Sequence, residues 1–248
     1  MTEEPYRWLE AIANRRDYVL EQLKGGSPAF AVSLPDGILL LSVGTGQSKV
    51  FELFDRQAMA GLGHPADLER IRQAAIDAAH LEAFTRAPDD VSLRRLVGFG
   101  LSSQLKTNFE QIYSAPYLVE LLLVELGLEP GQDLLVRLHF DGAYQVRSGG
   151  VAVVASQPEP AEAARVWLTG QLVGQTDRKA VADLLLQAWW VLMEDRAFTG
   201  DAPTESERRS GWQQAVRARD RVVEIGWLAR TSDRAARYQR LRLEQLDL

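Results

Sequence analysis

The chain of 248 residues contains no cysteine. That absence excludes disulfide frameworks, thiolate zinc sites, iron–sulfur clusters and cysteine nucleophiles. Long hydrophobic runs are also missing. The longest near-apolar stretches, Gly37 to Val43 and Leu118 to Val124, are seven residues each, against the roughly 20 that a membrane-spanning helix needs. The opening Met1-Thr-Glu-Glu-Pro5 is acidic where a secretory signal is basic and then apolar. A cytoplasmic protein without a membrane partner is therefore expected. Histidine is scarce: His64, His80 and His139 fall in a turn, a helix and a strand, with no metal-ligating spacing. All three read as structural, and no metal is expected. Gly44-Thr45-Gly46 lacks the glycine and lysine of a phosphate loop, and no Gly-x-Ser-x-Gly elbow occurs. The reading calls for no cofactor. Basic charge is in deficit, 28 Lys and Arg against 34 Asp and Glu, for a net charge of −6 and a pI near 5.2. That is the wrong sign for a surface gripping a phosphate backbone. The locally basic stretch from Arg217 to Arg242 has few interleaved aromatics, so it reads as a charged surface strand pair and not as a nucleic-acid site.

What remains is the composition of an ordinary globular chain, 46% hydrophobic and 25% charged. At this length folding withdraws roughly three-quarters of the surface from water. The pattern predicts a helix over 3–24, with Trp8, Ile12, Val19, Leu20 and Leu23 on one face and Gly25-Gly26 as its stop. Two strand-like runs then flank Pro35-Asp36-Gly37, a hairpin signal. The second run is almost wholly apolar, so it is expected to be covered on both faces. Short strands are predicted at 49–54 and 58–62, and helices at 65–84 and 91–109. The first of these helices carries a small-residue stripe of Leu68, Ile71, Ala75, Ala78 and Ala79. Strands follow at 117–126, 134–140, 143–147 and 150–156, then helices at 160–170 and 178–194. Residues 199–210 read as a surface loop, and 219–229 with 235–242 as a last hairpin around Arg230 to Arg234. This order lacks the strict alternation of a doubly wound fold. It suits an α+β chain with two antiparallel sheets stacked between two helical layers, in one domain spanning 1–248.

Particular residues sharpen the reading. Gly26-Ser27-Pro28-Ala29 leads to Asp36-Gly37-Ile38-Leu39 and then to Ser48-Lys49-Val50-Phe51-Glu52-Leu53-Phe54-Asp55-Arg56. Ala60-Gly61-Leu62-Gly63 precedes Leu68-Glu69-Arg70-Ile71-Arg72. Farther on come Tyr117 to Gly127, Phe140-Asp141-Gly142, and Val153 to Ser156 with Glu159-Pro160. In order and spacing these motifs, over about residues 5 to 240, resemble proteasome subunits, closest to the α-type subunits of actinobacteria. The resemblance implies a four-layer αββα sandwich of the N-terminal-nucleophile hydrolase class over 27–242, preceded by an extra N-terminal helix over 3–24.

The resemblance leaves two readings of one pocket, and a third for the chain. Catalytic β-type subunits cleave themselves after a glycine to free a threonine nucleophile, assisted by a lysine. Ser27 and Lys49 fall at those two positions. The stretch Leu41-Ser42-Val43-Gly44-Thr45 offers no aspartate to orient the lysine, and Ala155-Ser156-Gln157 lacks the supporting Gly-Ser-Gly. Non-catalytic α-type subunits instead keep the N-terminal helix and form a seven-membered ring. That ring gates access to a β-type chamber and docks an ATPase unfoldase. Their matching lysine receives the activator's C-terminal carboxylate, which nominates Lys49, with Gly26 lining the pocket. A self-processing hydrolase using Ser27 with Lys49 is the alternative, and a stand-alone ring-forming scaffold is the third.

Overall fold

Alternation along single strands decides the architecture, because successive side chains must face opposite ways. The computed structural model describes residues 5–218, 220–232 and 236–248. In β1 (Ala29–Leu34), Phe30, Val32 and Leu34 point to one apolar layer, while Ala29 and Ala31 point to another. The next strand, β2 (Gly37–Gly44), repeats this with Leu39, Leu41 and Val43 against Ile38 and Leu40. Both faces are covered, as its unbroken apolar run predicts. Between β2 and β5 come β3 (Val50–Phe54), β4 (Gln57–Gly63) and the helix α2 (Pro65–Thr85).

A broken helical segment follows: α3 (Leu93–Arg95), a π-helical stretch Leu96–Leu101, and α4 (Ser102–Glu110). Then come β5 (Val119–Glu125), β6 (Leu134–His139), β7 (Tyr144–Ser148), β8 (Val151–Val154), α5 (Pro158–Gln171) and α6 (Arg178–Met193). The chain ends with α7 (Glu205–Ala218), β9 (Val222–Ala229) and β10 (Tyr238–Leu241), after α1 (Pro5–Leu23) had opened it. The strands form two five-stranded antiparallel sheets, ordered β10-β9-β2-β1-β8 and β3-β4-β5-β6-β7. One core layer lies between the first sheet and α5, α6 and α7, and another between the second sheet and α2 to α4. Between the sheets the layer is rich in small residues, Ala29, Ala31, Ala58, Ala60 and Ala152 among larger aliphatics. The expected αββα sandwich with an added N-terminal helix is the observed fold.

Three expectations need correction. Residues 199–210 are not all loop, because α7 begins at Glu205. Its start is a reciprocal cap: the Glu207 amide donates to Thr204 Oγ1 (3.3 Å), and the Thr204 amide donates to the Glu207 carboxylate (2.7 Å). The segment at 91–109 is not one helix but is interrupted by π-helix, where Phe99 is 83% exposed. On α1, Val19 and Leu23 are buried, whereas Trp8 and Leu20 lie at the surface. The predicted boundaries at residues 3, 219 and 235, and the turn positions 233 and 234, lie outside the described residues.

The two sheets are tied at one end by a buried ion pair. Asp133, wholly buried before β6, accepts two bonds from Arg230, which follows β9, at 2.8 and 2.9 Å. The same carboxylate accepts from Ser33 Oγ (2.6 Å) and the Gly127 amide (2.8 Å). Arg230 also donates to the carbonyls of Leu34, Pro35 and Gly127. Every direction of the guanidinium fork is used, which is the condition under which a buried pair offsets its desolvation. Removing one partner strands the other charge. Arg230→Met is expected to cost about 3–5 kcal/mol, lowering Tm by about 10 °C. In thermal denaturation, Arg230→Met with Asp133→Leu should lose less than the sum of the single variants. Strict additivity would show that the pair does not act as a unit.

Candidate functional site

The sequence-nominated residues sit where α1 hands the chain to β1. Gly25 terminates the helix in the left-handed region (φ +75°), which favours glycine. Gly26 then donates its amide to Leu23 O at 2.9 Å. A Cβ on Gly26 would stand 2.8 Å from that carbonyl and 3.0 Å from Leu62 Cδ1, so the position is closed to side chains. With Lys24, Pro28, Ser156, Gln157 and the end of α6, Gly26 walls a cleft of about 210 Å³. Past Pro160, Leu192 and Asp195, residues common to both, lies a larger apolar groove of about 720 Å³ floored by Val166, Trp167 and Phe198.

Ser27 faces away from solvent. Its side chain is buried, and its Oγ accepts a 2.8 Å hydrogen bond from Trp189 Nε1 on α6. An indole nitrogen only donates, so it cannot take a proton from the hydroxyl. The Arg221 guanidinium lies 5.3 Å from the Trp189 ring centroid and closes the other side of the indole. The nearby hydroxyl of Ser42 is spent on the Pro28 carbonyl, at 3.0 Å.

Lys49 immediately precedes β3 but is not among the residues lining the Gly26 cleft. It is instead held by Glu224 of β9. The amides of Lys49 and Val50 donate to that carboxylate at 3.0 and 3.4 Å. The side chain runs past Gly44, where an added Cβ would lie 3.8 Å from Lys49 Cε. Burial holds its ammonium below the usual lysine range, Glu224 opposing the shift and Arg221 adding to it. Lys49 is thus half-buried in a charged recess and not a solvated strand-edge lysine. Ser27, Gly26 and Lys49 belong to one end of the fold, but no single cavity unites them.

The histidines divide by environment. His64 caps α2 by accepting the Ala66 amide (3.3 Å), and His80 meets Phe54 edge-on at 5.3 Å. His139 lies 2.8 Å from Glu120 in the interior. No group of three metal-ligating side chains occurs among the described residues. Trp189, Arg221 and Glu224, which define the site's chemistry, carried no signal in the sequence. Trp189-Trp190 in an apolar helix reads as core, and Glu224 is one acid in a charged strand.

Two antiparallel five-stranded sheets between helical layers, entered through a helix and a Gly-Ser junction, define the sandwich of the proteasome-subunit class. No family model matches the chain. Among known proteins, proteasome subunit alpha of Streptomyces griseus is 31% identical over 146 residues, covering 58% of this chain and 54% of that protein. The same subunit of a Nocardioides species is 32% identical over 155 residues, 59% and 60% of the two chains. That of Kineococcus radiotolerans is 27% identical over 181 residues, 71% and 74%. The chain spans little more than half the length of the first of these relatives. The chain is thus similar in sequence to actinobacterial α-type proteasome subunits, and its two-sheet sandwich is consistent with that likeness.

The Lys49 recess has a testable electrostatic consequence. A lysine whose folded pKa is lowered costs stability while charged, and the cost is relieved as pH rises through that pKa toward the ordinary 10.5. Wild-type stability relative to Lys49→Met should therefore rise on the alkaline side, read as a Tm difference that changes with pH. A constant difference from neutrality to pH 10.5 would contradict the buried, charged assignment.

Proposed function

We propose that the chain is a non-catalytic α-type subunit of a bacterial proteasome-like complex. It assembles with itself into a ring of about seven copies, a number taken from the family resemblance. The ring stacks on a β-type subunit ring, gates passage of substrates and docks an ATPase unfoldase in protein degradation. The observation that carries this reading is the seating of α1. Its Arg15 donates to the carbonyls of Asn108, Ile112 and Ser114 at 3.0, 3.4 and 2.6 Å. Val19 and Leu23 bury themselves with Leu62, Phe109 and Phe140. Residues ahead of Gly26 are thus part of the packed fold, and cleavage at Gly26-Ser27 would discard them. Kinship with α-type subunits supports the same assignment.

Within this reading Lys49 is the cation that meets an activator's terminal carboxylate, and Gly26 the close wall of the neighbouring cleft. The apolar groove beyond gives room for the residues preceding such a terminus. The competing reading, a self-processing hydrolase with Ser27 as nucleophile and Lys49 as its assisting amine, draws on the depressed Lys49 ammonium. It has to expose a hydroxyl that is buried under Trp189.

Intact mass separates the two. Recombinant protein kept at neutral pH for days should remain a full-length chain of 27.7 kDa. Loss of residues 1–26 would overturn the α-type assignment. The Lys49 role is tested by Lys49→Ala and a peptide ending in an activator's free C-terminus. Affinity should fall by about tenfold or more, the scale of one charge-assisted contact. Undiminished binding would remove Lys49 from the site.

A further inference from the structure

Beneath α1 the second sheet carries charges at a place where the inter-sheet layer is otherwise apolar. Glu120 of β5 and His139 of β6 are cross-strand partners, and the His139 Nδ1 to Glu120 Oε2 distance is 2.8 Å. The Glu120 side chain is 6% exposed and that of His139 21%. Both point to the face that bears Leu122, Val124 and Leu135. The residues in register with this pair, or next to it, are the ones that hold α1. Leu62 is the partner of Glu120 on β4 and belongs to the cluster that buries Val19 and Leu23. Phe140 follows His139, meets Phe109 with centroids 5.4 Å apart, and belongs to the same cluster. Asp141 follows in turn and accepts a 2.7 Å bond from Arg16 of α1. Arg16 also lies over the Phe109 and Phe140 rings at 5.5 and 5.8 Å.

We propose that the His139–Glu120 pair is a proton-operated latch that sets how firmly α1 is held on the sandwich, and with it the shape of the Gly26 cleft at the end of α1. Charged His139 neutralises a carboxylate that the interior otherwise leaves facing Arg137 alone. When His139 is neutral, Glu120 of β5 loses its charged partner, and the end of β6, with Phe140 and Asp141, is freed to separate from β5 and from α1. The groups around the pair account for its titration. Arg137 of β6 and Asp141 of the β6–β7 turn act on the pair directly, Arg16 of α1 is bound to Asp141, and Arg147 of β7 with Glu162 and Arg165 of α5 act on Arg137. Contact with Glu120 holds His139 above the usual imidazole range, and burial pushes the Glu120 carboxyl up. Both shifts have the same sign. The docked form binds more protons than an undocked one, so docking is strongest on the acid side and weakens as pH rises through the His139 titration. The latch stands on the packing of α1 and is independent of whether the protein works in a proteasome.

Hydrogen exchange of full-length protein tests it, with α1 amides compared with β2 amides as an internal reference that cancels the chemical pH effect. Protection of α1 relative to β2 should fall by about tenfold as pH rises through the His139 titration. NMR of the His139 ring should place its midpoint where that loss occurs. In His139→Gln the ratio should be low and show no change across the wild-type His139 titration range, while His80→Gln should keep the wild-type profile. A flat wild-type ratio would overturn the latch, as would a His139 midpoint away from the protection change or a wild-type profile in His139→Gln. If His139→Gln does not fold, the two wild-type measurements decide the matter alone.

Discussion

The relative placement of the two sheets is the constraint from which everything else follows, and it is fixed most firmly by Asp133 and Arg230. The pair joins the loop before β6 to the end of β9, and through Ser33 and Leu34 it also holds β1. Five alanines stand among the larger aliphatics of the layer between the sheets, which limits how far side chains there can interlock. A directional, fully bonded ion pair supplies the registration that dispersion alone would specify weakly. At the opposite end of the same strands stand α1, the Gly26 cleft and the Glu120–His139 pair. One end is locked by a permanent charge pair, and the other is closed by a helix resting on titratable groups.

That asymmetry bears on the chemistry of the Gly26-Ser27 junction. A nucleophile needs a base within reach and a free path to substrate. Ser27 has an indole donor and a buried setting. Lys49 has the unprotonated tendency of a base, yet it shares its recess with Glu224 and Arg221. Ser27 and Lys49 follow the glycine in the order the family resemblance nominates, but the Ser27 hydroxyl is bonded to Trp189 and the Lys49 backbone to Glu224. The same commitments leave a half-buried cation beside Glu224 and, separately, a narrow glycine-walled cleft.

Much of the sandwich was legible in the sequence because its strands announce themselves. The run Ile38 to Val43 is apolar on both faces, and Pro35-Asp36-Gly37 marks the turn before it. α7 was hidden: Gly200, Pro203 and five charged residues from Asp201 to Arg209 mask it, and Trp212 is its one buried large side chain. Its Thr204-to-Glu207 cap was nevertheless present as a T-x-x-E spacing. The π-helical stretch at Leu96–Leu101 leaves the apolar pattern helical, so periodicity gave one unbroken helix over 91–109. For the site, Gly26, Ser27 and Lys49 could be nominated by their order. Their true neighbours, Trp189, Arg221 and Glu224, come from positions 140 to 197 residues away, and single-sequence periodicity carries no information about such meetings.

The central claim is that this chain is a ring-forming subunit and not a free-standing enzyme. Native mass spectrometry of the purified protein at micromolar concentration, alone and co-expressed with a β-type subunit, addresses it most directly. A discrete assembly several times the 27.7 kDa of one chain, growing by a whole further ring when the partner is supplied, is the predicted result. A monomer under both conditions would contradict the account.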